Sequence, residues 1–183
     1  MKALLQRVKT ASVIIDEELY SKIDGGILVF LGIEKTDEIK NAQALAEKIV
    51  KLRIFEDEYG SRGEPVSACQ LQAEQGELNV SEVGGLGPQP KRPQERNGKM
   101  NKSVLETKGE IMVVSQFTLA SDCKKGTRPS FDKAAPPEQA KKLYEDFVNI
   151  IAQYGLTTKT GKFQAMMDIS LVNQGPVTFL IEK

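Results

Sequence analysis

The stretch that decides the fold stands near the end of the chain and reads Leu171-Val172-Asn173-Gln174-Gly175-Pro176-Val177-Thr178-Phe179-Leu180-Ile181. Apolar runs rich in β-formers flank the Gly175-Pro176 dipeptide, which predicts two strands. Because proline cannot donate to a strand ladder, the dipeptide marks an edge, a bulge or a turn, and such a bond can be cis. Two interpretations stay open: an ordinary hairpin turn, or a rigid segment that presents its backbone carbonyls to a ligand.

Strand and helix patterns fill the rest of the chain. Apolar runs of strand length recur at residues 2–15, 19–23, 27–33, 53–55, 110–119, 156–160, 168–172 and 177–181. One helix is predicted from Thr36 as its N-cap to Leu52, and another from Pro136 to a C′ glycine at Gly155. Many strands with only two main helices predict an α/β fold of the layered α+β kind, in which β-sheets pack against the two helices.

Residues 60–97 differ in composition from the rest. They contain six glycines, four prolines and no aromatic residue, which is typical of a linker rather than a core. A loop this long is either functional or loosely ordered, and the composition favours the second. We therefore expect one domain over 1–183 with an inserted surface excursion at about 60–97.

Composition excludes several classes of function. Lys plus Arg equals Asp plus Glu at 25 each, which argues against a broad electrostatic grip on nucleic acid. Cys69 and Cys123 form no metal-binding pattern. The chain has no histidine, so triads that use a histidine base and histidine metal sites are excluded within one chain. The first apolar run stops at Gln6, which predicts a cytoplasmic protein without signal peptide or membrane contact.

Two further segments could carry chemistry. Ser115-Gln116-Phe117-Thr118-Leu119 lies where a buried strand meets a polar loop, and backbone N–H groups at such a place can bind an oxyanion. Phe163, Met166 and Met167 follow a glycine and could sandwich a planar base. Each has a plainer interpretation, as a polar strand end and as core filling. Arg128 could meet a phosphate or simply solvate its loop.

Together these motifs resemble the D-aminoacyl-tRNA deacylases, also called D-tyrosyl-tRNA deacylases. The resemblance covers residues 1–55 and 98–183 and departs from the family at 60–97. It is carried by Leu5-Gln6-Arg7-Val8, Arg53-Ile54-Phe55-Glu56-Asp57, Lys99-Met100-Asn101, Ser115-Gln116-Phe117-Thr118-Leu119, Arg128-Pro129-Ser130-Phe131, Ala165-Met166-Met167 and Asn173-Gln174-Gly175-Pro176-Val177-Thr178.

The resemblance implies a hydrolase that forms homodimers and cleaves the ester between a D-amino acid and the terminal adenosine of tRNA, without metal or cofactor. It implies a site at the dimer interface, where the cis Gly175-Pro176 of one subunit excludes L-amino acids from the other. Glycine on the wrong tRNA is a further substrate it leaves open. The implied site residues are Ser115 and Gln116 as pocket walls, Phe117 and Thr118 as backbone N–H donors, Arg7 as a brace, Phe163, Met166 and Met167 at the adenosine, and Asn173, Val177 and Thr178 in the motif.

The nucleophile stays open between the Thr118 hydroxyl and a route that uses the 2′-hydroxyl of the terminal ribose. The missing histidine favours the second, because a threonine hydroxyl is too weakly acidic to act without a base. Two other functions also stay open: a non-catalytic binder of tRNA ends or of replication machinery, and a Thr118-dependent esterase for small molecules.

Overall fold

The computed structural model describes residues 1–57, 99–124 and 126–183. Met1–Glu56 and Met100–Lys183 form one compact unit, and Asp57–Lys99 form another, of which only the two end residues are described. The excursion expected at 60–97 therefore lies outside the described residues. No helix in the described ranges is long and apolar enough to cross a membrane.

The larger unit is a mixed sheet with few helices. Its strands are β1 Lys2–Ile15, β2 Glu18–Ile23, β3 Gly26–Gly32, β4 Phe55–Glu56, β5 Met100–Lys102, β6 Glu110–Ser115, β7 Thr158–Thr160 and β8 Asp168–Glu182. Its helices are α1 Ile39–Lys51, α2 Val104–Thr107, a 3-10 helix at Phe117–Ala120 and α3 Pro137–Ala152. The predicted α+β class is confirmed, with α1 and α3 as the two main helices.

The main sheet has the order β2-β1-β3-β6-β7, and β8 pairs with β1 along its other edge. β3 lies in the middle, antiparallel to β1 and parallel to β6. The hydroxyl of Ser21 in β2 donates to the Thr160 carbonyl in β7 at 2.8 Å. β2 and β7, the two ends of this strand order, therefore lie next to each other.

Side chains that alternate along the central strands fill two cores, as the period of two in a strand requires. Ile27 and Val113 belong to the larger core, which includes the apolar faces of α1 and α3. Leu28 and Met112 point the other way, into a smaller core with residues of β1 and β2. Because both faces of β3 and β6 are buried, their sequences read as continuous apolar runs.

The last strand differs from the hairpin interpretation, which is wrong. β8 is one strand, and both of its halves run antiparallel to β1. Gln6 pairs with Thr178 and Val8 with Asn173, so residues 174–177 bulge out opposite a single residue, Arg7. The Gly175-Pro176 peptide bond in this bulge is cis. A bulge is one of the few places where a sheet tolerates proline.

The strand predicted at 110–119 ends earlier, at Ser115. The Gln116 N–H donates to the Leu31 carbonyl at 2.8 Å, and the chain then turns into the 3-10 helix over β3. Gly32 permits this close approach, since a Cβ built there would lie 2.7 Å from the Leu119 Cβ. The turn places residues 115–118 at the rim of the sheet.

The first main helix begins at Ile39, after the N-cap Glu38, and not after Thr36 as predicted. The helix begins later because Asp37 makes tertiary contacts. Its carboxylate accepts from the Met1 ammonium at 2.5 Å and from the Glu34 N–H at 2.7 Å, and its side chain is buried. This tertiary ion pair holds residues 34–38 in a non-helical turn.

Candidate active site

A cavity of about 880 Å³ opens where β6 ends. We call it the larger cavity, and it is lined by Val114, Ser115, Gln116, Phe117, Ala134, Ala135, Pro137, Ala140, Phe163, Gln164, Ala165, Met166, Met167 and Ile169. Two segments that the sequence singled out separately, 115–117 and 163–167, thus line one cavity. Its volume is in the range of sites for small ligands.

The strand-end segment offers backbone groups more than reactive side chains. Phe117 and Thr118 supply the first N–H groups of the 3-10 helix, which have no carbonyl of their own helix to bind. The helix hydrogen bonds begin with the Leu119 N–H, which donates to the Gln116 carbonyl at 3.2 Å. Both Phe117 and Thr118 are exposed residues at this turn.

The Thr118 hydroxyl has a partner that cannot activate it. It accepts a hydrogen bond from the Gln116 side-chain amide at 2.5 Å. An amide N–H is a donor and takes no proton. Thr118 itself is not among the residues that line the larger cavity. This geometry orients the hydroxyl but supplies no general base.

Tyr144 of α3 supports the cavity wall formed by residues 163–167. The sequence pattern placed this residue only on the apolar face of the helix. Its hydroxyl donates to the Val113 carbonyl at 2.9 Å, and the Gly161 carbonyl lies 3.4 Å away. Burial raises the pKa of Tyr144 well above its ordinary value, so the hydroxyl stays protonated and remains a donor. The Phe163 ring packs against it with centroids 5.7 Å apart.

The methionines of this wall are soft and accessible. Met166 is 93% exposed, and Met167 is half-buried. A Cβ at Gly161 would lie 2.9 Å from the Met167 sulfur, so this glycine leaves the thioether its space. Flexible thioethers and an aromatic ring suit the faces of a planar base.

The bulge in β8 is braced by Arg7, which is 3% exposed. Its Nε donates to the Gln174 carbonyl at 3.0 Å, and its Nη1 donates to the Ile54 carbonyl at 2.5 Å. Nη2 lies 3.4 Å from the Glu56 carboxylate. The guanidinium thus ties the bulge to residues 54–56, and Glu56 belongs to the motif at 53–57 quoted above but not to the predicted site residues.

Asn173 holds the same bulge from within β8. Its Oδ1 accepts from the Val177 N–H at 2.9 Å, and its Nδ2 donates to the Thr178 hydroxyl at 2.9 Å. Gly175 has a φ of +139°, a region that L side chains rarely adopt, and is exposed with Pro176. The hydrogen bonds of Asn173 therefore close the loop and leave the dipeptide facing outward.

The predicted site residues fall into two groups in one chain. Ser115, Gln116, Phe117, Phe163, Met166 and Met167 line the larger cavity. Gly175 and Pro176 are not among its lining residues, and they lie in the bulge with Arg7 and Asn173. Arg128 is exposed in the loop after the 3-10 helix and is likewise absent from the cavity wall.

Comparison with known proteins gives consistent matches over the whole chain. A family model described as D-Tyr-tRNA(Tyr) deacylase matches residues 4–84 and 90–182. A D-aminoacyl-tRNA deacylase from Thermodesulfovibrio yellowstonii is 46% identical over 181 residues, which cover 99% of this chain and 98% of that protein. The family match runs through most of residues 60–97, so it gives no support to the expectation that this range departs from the family.

Solved structures agree with the sequence match. One named c-Myc DNA unwinding element binding protein has a TM-score of 0.76 at 34% identity, and covers 100% of this chain and 99% of its own. Another, described as a probable eukaryotic D-amino acid tRNA deacylase, has a TM-score of 0.71 at 11% identity, and covers 100% and 98%. The second likeness shows the fold alone. With a family model matched from residue 4 to residue 182, the chain belongs to the D-Tyr-tRNA(Tyr) deacylase family.

Proposed function

We propose that this protein hydrolyses the ester bond between a D-amino acid and the 3′-terminal adenosine of tRNA. Water adds to the ester carbonyl, the bond to the ribose oxygen breaks, and the products are the free D-amino acid and tRNA with its hydroxyl restored. The observation that carries the proposal is the larger cavity, which residues 115–117 and residues 163–167 line together. Full-length relatives named for this activity support it.

In this proposal the cavity binds the substrate in two parts. Phe163, Met166 and Met167 contact the adenine, which suits a planar, polarisable ligand. The Phe117 and Thr118 N–H groups donate to the oxygen that becomes negative when water adds. Ser115 and Gln116 set the width between these two regions.

We also propose that the 2′-hydroxyl of the terminal ribose assists the attack by taking a proton from the water while it passes its own proton to the departing 3′ oxygen, and that the Thr118 side chain is not the nucleophile. The hydrogen bond from Gln116 to the Thr118 hydroxyl supports this route, because the amide group that contacts this hydroxyl cannot take its proton. The chain also has no histidine to take up the proton.

Chiral selection in this proposal needs a second copy of the chain. The cavity of one subunit lacks the Gly175-Pro176 dipeptide, which faces outward from a braced bulge. β8 pairs with β1 on one side, and no described strand covers its other side. Three large apolar residues of β8 are exposed: Val172, Phe179 and Leu180. An open edge of this kind is a surface for pairing with another chain.

We therefore propose a homodimer in which the dipeptide of one subunit closes the cavity of the other. Its carbonyls exclude the side chain of an L-amino acid by clash and by unpaired polar atoms, whatever that side chain is. Glycine has no side chain to exclude, so glycyl-tRNA is expected to be cleaved too. Charged tRNA is used in the cytoplasm, where we expect the protein to act.

The test compares D-Tyr-tRNA with L-Tyr-tRNA, with purified protein at micromolar concentration and its mass measured under the same conditions. The proposal predicts turnover of the D-ester, no turnover of the L-ester and the mass of a dimer. Equal rates on both esters would contradict chiral selection. Full activity from a monomer would contradict the shared site.

A second candidate is a binder of nucleic acid without turnover. The observation that favours it is the printed name of one structural relative, a DNA unwinding element binding protein. The same assay separates the two, because a binder protects the ester in proportion to its own amount, whereas an enzyme consumes an excess of substrate.

A further inference from the structure

A second cavity of about 640 Å³ lies beside the first and shares a wall with it. We call it the side cavity, and it is lined by Tyr20, Lys141, Tyr144, Glu145, Val148, Asn149, Thr160, Gly161, Lys162 and Phe163. We propose that it binds the single-stranded nucleotides that precede the terminal adenosine of the substrate, through one phosphate and one base. This inference rests on the proposed function, because it extends the same substrate beyond the larger cavity.

Phe163 connects the two cavities, since it lines both. Its neighbours in sequence divide between them: Lys162 lines the side cavity and Gln164 the larger one. In this proposal, a strand whose terminal adenosine contacts Phe163 continues past the ring, and its next phosphate binds Lys162. The substrate has no other continuation from that nucleoside, because its 3′ end carries the amino acid.

The charges of the side cavity fit a single phosphate. Among its lining residues, Lys141 and Lys162 are basic and Glu145 is acidic. Lys141 lies 3.9 Å from Glu145, and both side chains are about 60% exposed. An exposed pair at this distance is weak and screened. Lys141 can therefore exchange the carboxylate for a phosphate, and the net charge of the cavity favours an anion.

Tyr20 supplies an aromatic surface for a base. It lies in β2 and is 50% exposed, although its ring is large and apolar. The hydrogen bond from the Ser21 hydroxyl to the Thr160 carbonyl joins this part of β2 to β7, and Tyr20 and Thr160 both line the side cavity. Stacking of a base on such a ring is tolerant of sequence, as a site for every tRNA requires.

The test compares D-Tyr-tRNA with D-tyrosyl-adenosine, which ends before the side cavity. Lys141→Gln and Lys162→Gln should each lower kcat/KM on the tRNA by about two- to fivefold, the scale of an exposed charge pair. They should also flatten its dependence on salt by about 0.7 in log–log slope for each phosphate that the variant no longer binds. Neither substitution should change kcat/KM for D-tyrosyl-adenosine or its dependence on salt.

The chain offers matched controls on α1. Lys51 and Glu47 form an i,i+4 pair at 2.6 Å, like Lys141 and Glu145, but on another helix. Lys51→Gln should leave both substrates unaffected. Glu145→Gln should act in the opposite direction and raise kcat/KM on the tRNA, because it removes the negative charge, whereas Glu47→Gln should not.

Substitutions of Tyr20 test the inference independently, because they do not change the charge of the side cavity. Tyr20→Ala should lower kcat/KM on the tRNA but not on D-tyrosyl-adenosine, and by more than Tyr20→Phe, which keeps the ring. Equal effects of Lys141→Gln and Lys51→Gln on the tRNA would overturn the inference while leaving the deacylase proposal intact. Failure of the unmodified protein to cleave either substrate would instead refute the proposed function.

Discussion

The bulge at Gly175-Pro176 and the cavity wall at residues 161–167 are built in opposite ways. The bulge is fixed by directed hydrogen bonds: Arg7 holds the Gln174 carbonyl, and Asn173 holds the Val177 N–H. The wall ends in flexible thioethers, one of them 93% exposed and the other half-buried. A segment that must reject the wrong configuration needs rigidity, whereas a segment that accepts a planar base can adapt. Substitutions should therefore be costly in the bulge and mild in the wall.

The largest effect is expected at Arg7. Arg7→Ala leaves the Gln174 and Ile54 carbonyls without their donor, and each such buried loss costs about 1–3 kcal/mol. We predict that the free energy of unfolding in urea falls by about 3 kcal/mol and that discrimination between D- and L-esters is lost. Arg53→Ala is the control, because Arg53 is exposed, and it should change stability by at most about 0.5 kcal/mol. An equal, small effect of both would mean that the bulge does not depend on its brace.

Gly175→Ala should rank second. An added Cβ would lie 2.6 Å from the Val177 Cγ2, at a φ of +139° that alanine rarely adopts. We predict a loss of about 1–3 kcal/mol in unfolding free energy and a lower D over L ratio in initial rates. Gly25→Ala provides the comparison, since a Cβ at Gly25 meets nothing within 4 Å. If the two variants are equally stable, the bulge is not the rigid region that we describe.

Gly161→Ala tests the soft wall by the same kind of change. The new methyl would come closest to the sulfur of Met167, at 2.9 Å, and a flexible side chain can move away from it. We predict a stability loss of about 1 kcal/mol or less, together with a raised KM, because the displaced thioether narrows the cavity. A loss as large as that of Gly175→Ala would show that the wall is as rigid as the bulge.

Thr118→Ala should have the smallest effect on rate. It removes a hydroxyl that accepts one hydrogen bond from Gln116 but keeps the backbone N–H. Such a loss is worth about 0.5–1.5 kcal/mol, or about tenfold in kcat at most. Single-turnover rates on D-Tyr-tRNA measure this directly. A drop of several orders of magnitude would identify the hydroxyl as the nucleophile.

The sequence predicted the regular parts of this fold well. The runs at 2–15 and 27–33 became β1 and β3 within one residue, because their apolar patterns are buried on one or both faces. The predictions were wrong where contacts between residues that are far apart in sequence determine the structure. Asp37 reads as a helix-start residue but pairs with the Met1 ammonium, and the two halves of β8 read as a hairpin until their common partner β1 is known.

The candidate site was predicted in part. The motifs selected residues that the structure brings together around one cavity, but their order along the chain did not indicate their grouping. Tyr144 and Glu56 were missed for physical reasons: the first follows an ordinary apolar helix pattern, and the second acts only through Arg7. α2 was missed although Ser103 and Glu106 form a capping box, a local signal that was available.

We infer above all that catalysis at this site uses backbone N–H groups and the 2′-hydroxyl of the substrate's own terminal ribose. The most direct measurement is the single-turnover rate of the unmodified protein on D-Tyr-tRNA that ends in 2′-deoxyadenosine. We predict a single-turnover rate at least about a hundredfold below that on the ordinary substrate, which is the scale of a lost proton-transfer group. Thr118→Ala should keep most of its activity on the ordinary substrate. Normal turnover of the 2′-deoxy substrate, together with an inactive Thr118→Ala, would contradict it.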